Sequence, residues 1–588
     1  MPVTPSLQTV VDALIGDALD VSLPNFRPEL ILTLSIVALL LSRVIPVVNR
    51  IPPFPIAALG ALWAVVAALP AEGFDSWATL QRTELFTGML AYDGVTAFMR
   101  LFLAAFAVLL VVLARLTGLA DAEDGQDFYV LVFGATIGMC LMASANHMLT
   151  LFLGVEMASV PSYVLAGAVK GRRRSSEAAL KYAVYGAGAA GIMLYGVSLL
   201  SGVTGAVHLP TMARRIAELD IPARFASGEG TALIMALALG GLMLGVGLAF
   251  KLSAFPFHFW CPDVFEGASA EVNGFLSVAS KAAALALLVR VGMGLGHIPE
   301  QRDAAAGASV PPQVAVRLVA AEQPAAEART PPAAMQEADL PAGETLGADP
   351  SAAPGDPLQP VRSFFVVLLG VVAAITCTFG NLAAYGQTNI KRMLAYSTIA
   401  HAGYMMMPVA AAVALVGRDP QKAAMAVSAL LLYAAFYLFM NLGAFAIVAF
   451  LRNAIQSEEI KDYAGLIRTA PVMAVSLTLV LFSLVGLPPL AGFVGKFRAF
   501  QALVEAGGPL MIFLLVVAGI NTALSLVYYL RVAKAVCIDD LPDSSRPAEF
   551  DFLSTAYVVA MTLPVAVFGL FPNGVARIVE QAASTMFG

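Results

Sequence analysis

Six ionisable side chains stand inside runs of apolar residues: Glu156 in LFLGVEMASV, Lys181 in EAALKYAVYG, Lys251 in GLAFKLSAFP, Lys281 in LSVASKAAALAL, His401 in YSTIAHAGYM and Lys496 in AGFVGKFRAF. A charge at the centre of a bilayer costs about 2.5–3.5 kcal/mol on insertion scales, so such groups face a partner or water. One acid, several amines and an imidazole, with no cluster of carboxylates, suit proton handling better than metal binding. Burial weakens the hold of an amine on its proton, and a nearby carboxylate strengthens it again. A lysine whose acid partner can approach or withdraw is therefore a proton site of adjustable affinity. On this reading Glu156 is the modulator and Lys251 the coupled site. Lys281 and His401 are relay members, and Lys496 is the exit group.

Each residue also has a purely structural reading. Lys181 follows Glu177 by four residues near a helix start, the spacing of a helix-surface ion pair. Lys496 could snorkel from a broken helix end. Lys251 and Lys281 could belong to satisfied interhelical ion pairs, and His401 could hydrogen-bond a neighbouring helix.

The elements that must carry these groups follow from composition. Of 588 residues, 59% are hydrophobic and 13% charged, and the mean hydropathy is +0.81. Soluble domains hold about 45–50% apolar and about 25% charged residues, which excludes a water-covered globule. A spanning helix needs about 20 apolar residues. Apolar stretches fall at 28–42, 55–70, 97–117, 128–144, 147–168, 178–201, 231–258, 271–296, 363–385, 393–416, 423–450, 470–505, 509–530 and 555–572. The stretch 470–505 holds Pro488, Pro489, Gly492 and Gly495, so it reads as one span broken at its prolines. The chain is thus expected to be an all-α polytopic membrane protein with about fourteen transmembrane helices.

Segments follow from the same pattern. Residues 1–127 carry spans one to three, 128–298 spans four to eight, 363–530 spans nine to thirteen, and 531–588 a loop and span fourteen. Between them, 299–362 is rich in Ala and Pro and holds nine acidic against four basic side chains, so most of the net charge of −6 sits there. That composition does not bury enough apolar area to fold alone and reads as a flexible insertion outside the mechanism. Basic residues cluster in alternate loops: Lys170, Arg172, Arg173 and Arg174; Lys391 and Arg392; Arg452, Lys461 and Arg468; Arg531 and Lys534. With fourteen spans these loops share the cytoplasmic side, which puts both termini and the insertion on the other. The first twenty residues lack the basic start and compact apolar run of a cleavable signal.

Several functions are disfavoured. The negative net charge and lack of a long basic tract argue against a nucleic-acid partner. Cys140, Cys261, Cys377 and Cys537 lie far apart, with no CxxC pair to hold a cluster. Gly186-Ala187-Gly188-Ala189-Ala190-Gly191 satisfies GxGxxG but lies inside an apolar span, where close helix packing explains it better than a dinucleotide.

One internal similarity bears on mechanism. Phe250-Lys251-Leu252-Ser253-Ala254-Phe255-Pro256 resembles Phe482-Ser483-Leu484-Val485-Gly486-Leu487-Pro488. The two pieces lie five spans apart, in spans seven and twelve, and so run oppositely through the bilayer. Proline- or glycine-interrupted spans in matching places of inverted halves point to a transporter's ion site. Pro256 and Pro488 would free backbone carbonyls and admit water beside the lysines.

The runs FKLSAFPFHFWCPDVFEGASAEVNGFLSVASKAA, GNLAAYGQTNIKRMLAYSTIAHAGYMM, LFMNLGAFAIV and GLPPLAGFVGKF resemble the antiporter-like membrane subunits of respiratory complex I. The WxPDVxEG portion (Trp260, Pro262, Asp263, Val264, Glu266, Gly267) is most similar to the subunit N branch of bacterial NADH–quinone oxidoreductases. The resemblance covers about 25–300 and 363–575. Cys261 stands where the family commonly has Thr, and the acidic insertion departs from the usual shorter member.

The resemblance implies fourteen helices with two inverted five-helix repeats, spans four to eight and nine to thirteen, broken in spans seven and twelve. It implies one proton channel in a multisubunit enzyme of the bacterial inner membrane, driven by quinone reduction elsewhere. Glu156, Lys251, Lys281 and Lys496 match the family's glutamate of span five and lysines of spans seven, eight and twelve, and Lys181 a further lysine at the start of span six. No cofactor is expected in this chain; NADH, FMN, iron–sulfur clusters and quinone would belong to the complex, and other membrane subunits would be its partners. A cation/proton antiporter or membrane-bound hydrogenase subunit is the alternative. A passive scaffold, its charges only pairing helices, is a third reading.

Overall fold

A computed structural model of the chain describes residues 7–45, 52–70, 76–120, 125–169, 171–221, 224, 230–298, 356–541 and 550–587. Lys170 and nearly all of 299–362 lie outside the described residues. The described chain is overwhelmingly helical, as lipid requires of apolar segments that must satisfy their own backbone.

Helices α1 (Leu7–Gly16), α2 (Arg27–Val44) and α3 (Pro53–Ala68) come first. A short antiparallel hairpin follows, β1 (Thr83–Leu85) and β2 (Leu90–Tyr92), with Thr83 opposite Tyr92. This hairpin departs from the all-α expectation. Phe86, Thr87 and Gly88 turn it with positive φ. Next come α4 (Gly94–Leu116), α5 (Gly125–Ser144), α6 (Met148–Ala166), α7 (Arg173–Thr204), α8 (Leu209–Glu218), α9 (Thr231–Leu252), α10 (Trp260–Gly267), α11 (Ala270–Ser277) and α12 (Ala279–Gly296). The second half holds α13 (Gln359–Ala384), α14 (Ile390–Leu415), α15 (Pro420–Ile455), α16 (Pro471–Val485), α17 (Ala491–Ala506), α18 (Pro509–Cys537), α19 (Phe552–Leu570) and α20 (Asn573–Ser584).

Among the described residues, eleven helices are long and apolar enough to cross a membrane, and α3 and α16 are shorter apolar helices. All fourteen apolar stretches fall largely on helix, but two boundaries differ from the sequence reading. The stretch 231–258 ends its helix at Leu252. The stretch 271–296 is one span-length helical run, Ala270–Gly296, with a one-residue turn at Val278 (φ −102, ψ −71) three residues before Lys281. Helix α13 begins at Gln359, inside the segment read as insertion, because Pro360 suits a first helical turn.

Helices α12, α14 and α15 form the interior and are buried along almost their whole length. Asn389 caps α14 by accepting from the Lys391 and Arg392 amides, and Asp419 caps α15. Around them α7, α9, α18 and α19 expose Leu, Val, Ile and Phe side chains such as Leu180, Leu239, Ile520 and Leu563, the outer apolar surface that lipid accepts.

The basic loops gather at one end. Ile390 N donates to Glu458 O, Ile460 N to Thr388 O and Gly465 N to Ala535 O. Arg174 and Arg392 both reach Glu266, and Arg468 reaches Asp540.

Candidate functional site

The first group of site residues forms where α9 breaks. Ser253 ends the helix in the left-handed region (φ 56), with Pro256 three residues on. The last turn of α9 carries Lys251, 2% exposed. Its Nζ donates to Ser159 Oγ of α6 at 3.0 Å. Glu156 sits one turn before Ser159 on α6 and is half-buried. No ion pair joins it directly to Lys251, yet the two charges lie near enough to act on each other. Ser159 thus holds the ammonium beside the carboxylate without closing the pair. Sequence reasoning missed Ser159; its spacing of three from Glu156 was the available signal.

Lys281 lies just past the turn at Val278. Its Nζ is buried and has no hydrogen-bond partner among the described residues. No hydrogen bond joins it to Lys251. His401 on α14 lies within electrostatic reach of both Lys281 and Lys496. Its Nδ1 shares a hydrogen bond with Tyr433 Oη at 2.9 Å, and its Nε2 lies 3.4 Å from Tyr529 Oη. Tyr529 Oη in turn meets Ser397 Oγ at 2.5 Å. The structure therefore brings Lys281, His401 and Lys496 into one buried neighbourhood lined by hydroxyls. The tyrosines, on other helices, were not legible as partners.

The second break lies between α16 and α17. Gly486 closes α16 at φ 93, a conformation glycine adopts freely. A methyl there would stand 3.0 Å from Lys496 Cδ, so the same glycine also makes room for the lysine. Gly492 lets α17 press against α16: an added Cβ would overlap the Ser483 carbonyl. Lys496, 3% exposed, donates to the Val485 carbonyl at 2.8 Å and lies 4.4 Å from the centre of the Tyr404 ring. Its ammonium is thus held inward rather than snorkelling to the surface.

Lys181 is about one-third exposed and sits between two acids, Glu177 at 2.9 Å and Asp263 at 2.8 Å. Asp263 also accepts from Arg392 at 2.9 Å, and Arg392 reaches Glu266 at 2.8 Å. The motif residues Asp263 and Glu266 therefore tie α7, α10 and α14 together at the basic end. The pairing Lys181–Glu177 has the spacing read from the sequence; Asp263 adds an interhelical partner.

Two other buried arginines are paired with buried acids. Arg290 holds Asp93 through two hydrogen bonds of 2.5 and 2.6 Å, and Arg100 holds Glu29 at 2.5 Å. These charges also lie in or beside apolar runs and were not singled out. At the end away from the basic loops, Glu84 Oε1 accepts from Asn146 Nδ2 and meets His208 Nε2, each at 3.0 Å. Burial alone would push its carboxyl up, but His208, Asn146 and Arg82 hold it below the usual carboxylate value. The Gly-rich run 186–191 lies within α7; Gly186 packs against Tyr163, whereas Gly188 and Gly191 face open space. Among the described residues no group of three His, Cys, Asp or Glu could hold a metal ion.

Known proteins share this architecture. The family described as NADH:quinone oxidoreductase/Mrp antiporter, TM, matches residues 145–301 and 356–522, the two regions that carry all six site residues. NADH-quinone oxidoreductase subunit N of Anaeromyxobacter sp. is 35% identical over 96% of this chain and 97% of its own. Subunit N 2 of Sorangium cellulosum is 34% identical over 96% and 98%. Both alignments span nearly the full length of each chain, so this length is shared with these relatives rather than a departure from them. A chain of respiratory complex I from Thermus thermophilus superposes with a TM-score of 0.64 at 29% identity, covering 94% of this chain and 98% of that one. A chain of the Mrp complex of Dietzia sp. shares the fold, with a TM-score of 0.71 at 17% identity over 96% and 98%. With more than half its length matched by the family and relatives above 30% identity across nearly all of it, this multi-pass membrane chain belongs to the NADH:quinone oxidoreductase/Mrp antiporter family of membrane subunits.

Proposed function

We propose that this chain is a proton-translocating membrane subunit of a bacterial NADH–quinone oxidoreductase, moving protons through a buried Glu/Lys/His relay coupled to quinone reduction in other subunits. The carrying observation is Lys251: a buried ammonium at an interrupted helix, held by Ser159 one turn from Glu156. Withdrawal or approach of the carboxylate changes how tightly the lysine keeps its proton. Moving one charge against 100 mV costs about 2.3 kcal/mol. At about 1.36 kcal/mol per pH unit, a change of under two units in the lysine's affinity supplies that. Lys281 and His401 carry the proton onward, and Lys496 passes it out. Lys181 sits at the mouth, where Asp263 and Glu177 compete for it.

Relatives bearing the name NADH-quinone oxidoreductase subunit N, at 33–35% identity, favour complex I over an antiporter or membrane-bound hydrogenase assembly. On this reading the partners are the other membrane subunits and the lipid bilayer. NADH, FMN, iron–sulfur and quinone sites belong to other chains. The fold has fourteen spans in two inverted repeats, 128–298 and 363–530, flanked by 1–127 and 531–588. The chain lies in the inner membrane with both termini on the non-cytoplasmic side. The matched breaks at Ser253 and Gly486, each followed by proline, support the inverted repeat.

The test is proton pumping by the assembled complex in vesicles. Lys251→Ala and Glu156→Ala lower pumping and coupled quinone reduction while assembly persists. Normal pumping by both assembled variants would leave only the scaffold reading.

A further inference from the structure

A buried acid outside this relay has the properties of a proton carrier. Glu271, in the first turn of α11, is 0% exposed, and neither carboxylate oxygen has a hydrogen-bond partner among the described residues. The other fully buried acids differ sharply: Asp93 and Glu29 are each held by an arginine. A carboxyl group enclosed in an apolar interior without donors is costly to keep ionised, by several kcal/mol.

Two features could stabilise a negative charge there. Glu271 stands at the positive end of α11, which favours an anion. Lys391 of α14 lies within electrostatic reach, its Nζ donating to the Ala268 carbonyl at 2.8 Å and pairing with Glu458 at 2.9 Å. Lys391 therefore links Glu458, 18% exposed at the basic-loop end, to the enclosed Glu271. Further charged groups near Lys391 include Arg452 of α15.

Inward from Glu271, the unsatisfied polar atoms continue. Asn273 Oδ1, both amide atoms of Asn441 on α15, and Lys281 Nζ are buried without a hydrogen-bond partner among the described residues. Gly274, one turn beyond Glu271, packs on Leu442 and Phe445, which sets Asn441 alongside α11. An asparagine amide both donates and accepts, so it can bridge a hydrogen-bonded path. Buried polar groups without partners on α11, α12 and α15, beside a semi-exposed ion pair, are unlike the well-packed apolar side chains around them.

We propose that Glu271 is a proton-carrying residue that loads Lys281 from the basic-loop end. The carboxylic O–H bond breaks, Lys281 gains the proton as an ammonium, and the new carboxylate draws in the Lys391 ammonium. A proton arriving by way of Glu458 then restores the acid and frees Lys391. The inference rests on the proton-translocating reading above and adds a residue to it.

The test uses the whole complex in proteoliposomes with Glu271→Gln, Glu271→Asp and, as reference, Lys251→Ala. Glu271→Gln keeps shape and burial but carries no proton, and lowers pumping by about tenfold or more. Glu271→Asp recovers a large part of it. Infrared difference spectra show a carboxylic acid C=O band in the wild type that is absent from Glu271→Gln and displaced in Glu271→Asp. Wild-type pumping by Glu271→Gln overturns the proposal, and if Lys251→Ala is impaired in the same preparation the relay reading still stands. Should Glu271→Gln fail to assemble, absence of the band from the wild type overturns it, and its displacement in Glu271→Asp supports it.

Discussion

The two broken helices hold their lysines in different ways. At the first break Lys251 donates to a serine hydroxyl with a carboxylate one turn away. At the second Lys496 donates to a backbone carbonyl and lies against the Tyr404 ring, and no acid pairs with it among the described residues. Helix ends in left-handed geometry, at Ser253 and Gly486, and a following proline create both settings. The difference lies in what can change. A carboxylate on a neighbouring helix can be moved relative to an ammonium, whereas a carbonyl and a ring of the same packed core are fixed. On the proposed function, the first site is the one switched and the second the one that receives.

Removing either lysine gives the largest expected effect. Lys251→Ala and Lys496→Ala each abolish most proton pumping by the assembled complex; an unequal loss, with one variant pumping normally, would break the symmetry of the two sites. Next come the fixed partners. Ser159→Ala removes a hydrogen bond to a charged group, worth about 1.5–3 kcal/mol, and is expected to cut coupled turnover about tenfold or more. Tyr404→Leu removes a cation–ring contact worth about 0.5–2 kcal/mol and is expected to cost a few-fold. Turnover measurements on both would show whether the switched site depends more on its partner than the receiving site does. Lys181→Ala gives the smallest change: pairs this exposed contribute about 0–1 kcal/mol, and Asp263 keeps Arg392. A large loss in Lys181→Ala, measured as pumping, would move proton uptake to the mouth at Asp263.

Much of this architecture was legible in the sequence because lipid imposes simple rules. Apolar runs located the helices, and prolines near 256 and 488 located both breaks. Boundaries failed where local geometry overrode hydropathy, as at Ser253, whose left-handed geometry ends a helix inside the apolar stretch 231–258. Lys251, Lys281 and Lys496 stood out as charges inside apolar runs, and they are enclosed. Arg100 and Arg290 carried the same signal, yet each is clamped by an acid from a distant part of the chain, Glu29 and Asp93. Hydropathy alone does not separate a paired charge from an unpaired one, because pairing is set by helix packing. Ser159, the tyrosines around His401 and Glu271 were hidden for the same reason. Serine and tyrosine are ordinary in such helices, and Glu271 sits in a short polar-looking segment, GASAEVNG, that the fold encloses.

The most direct test of the difference between the two sites is a pair of double-mutant cycles on the pumping rate of the reconstituted complex, combining Glu156→Gln with Lys251→Ala and, separately, with Lys496→Ala. A carboxylate that acts through Lys251 has nothing left to modulate once that lysine is gone, so the first pair is non-additive while the second adds its two losses. Equal coupling in both cycles, or additive losses with Lys251→Ala, would contradict a switched first site.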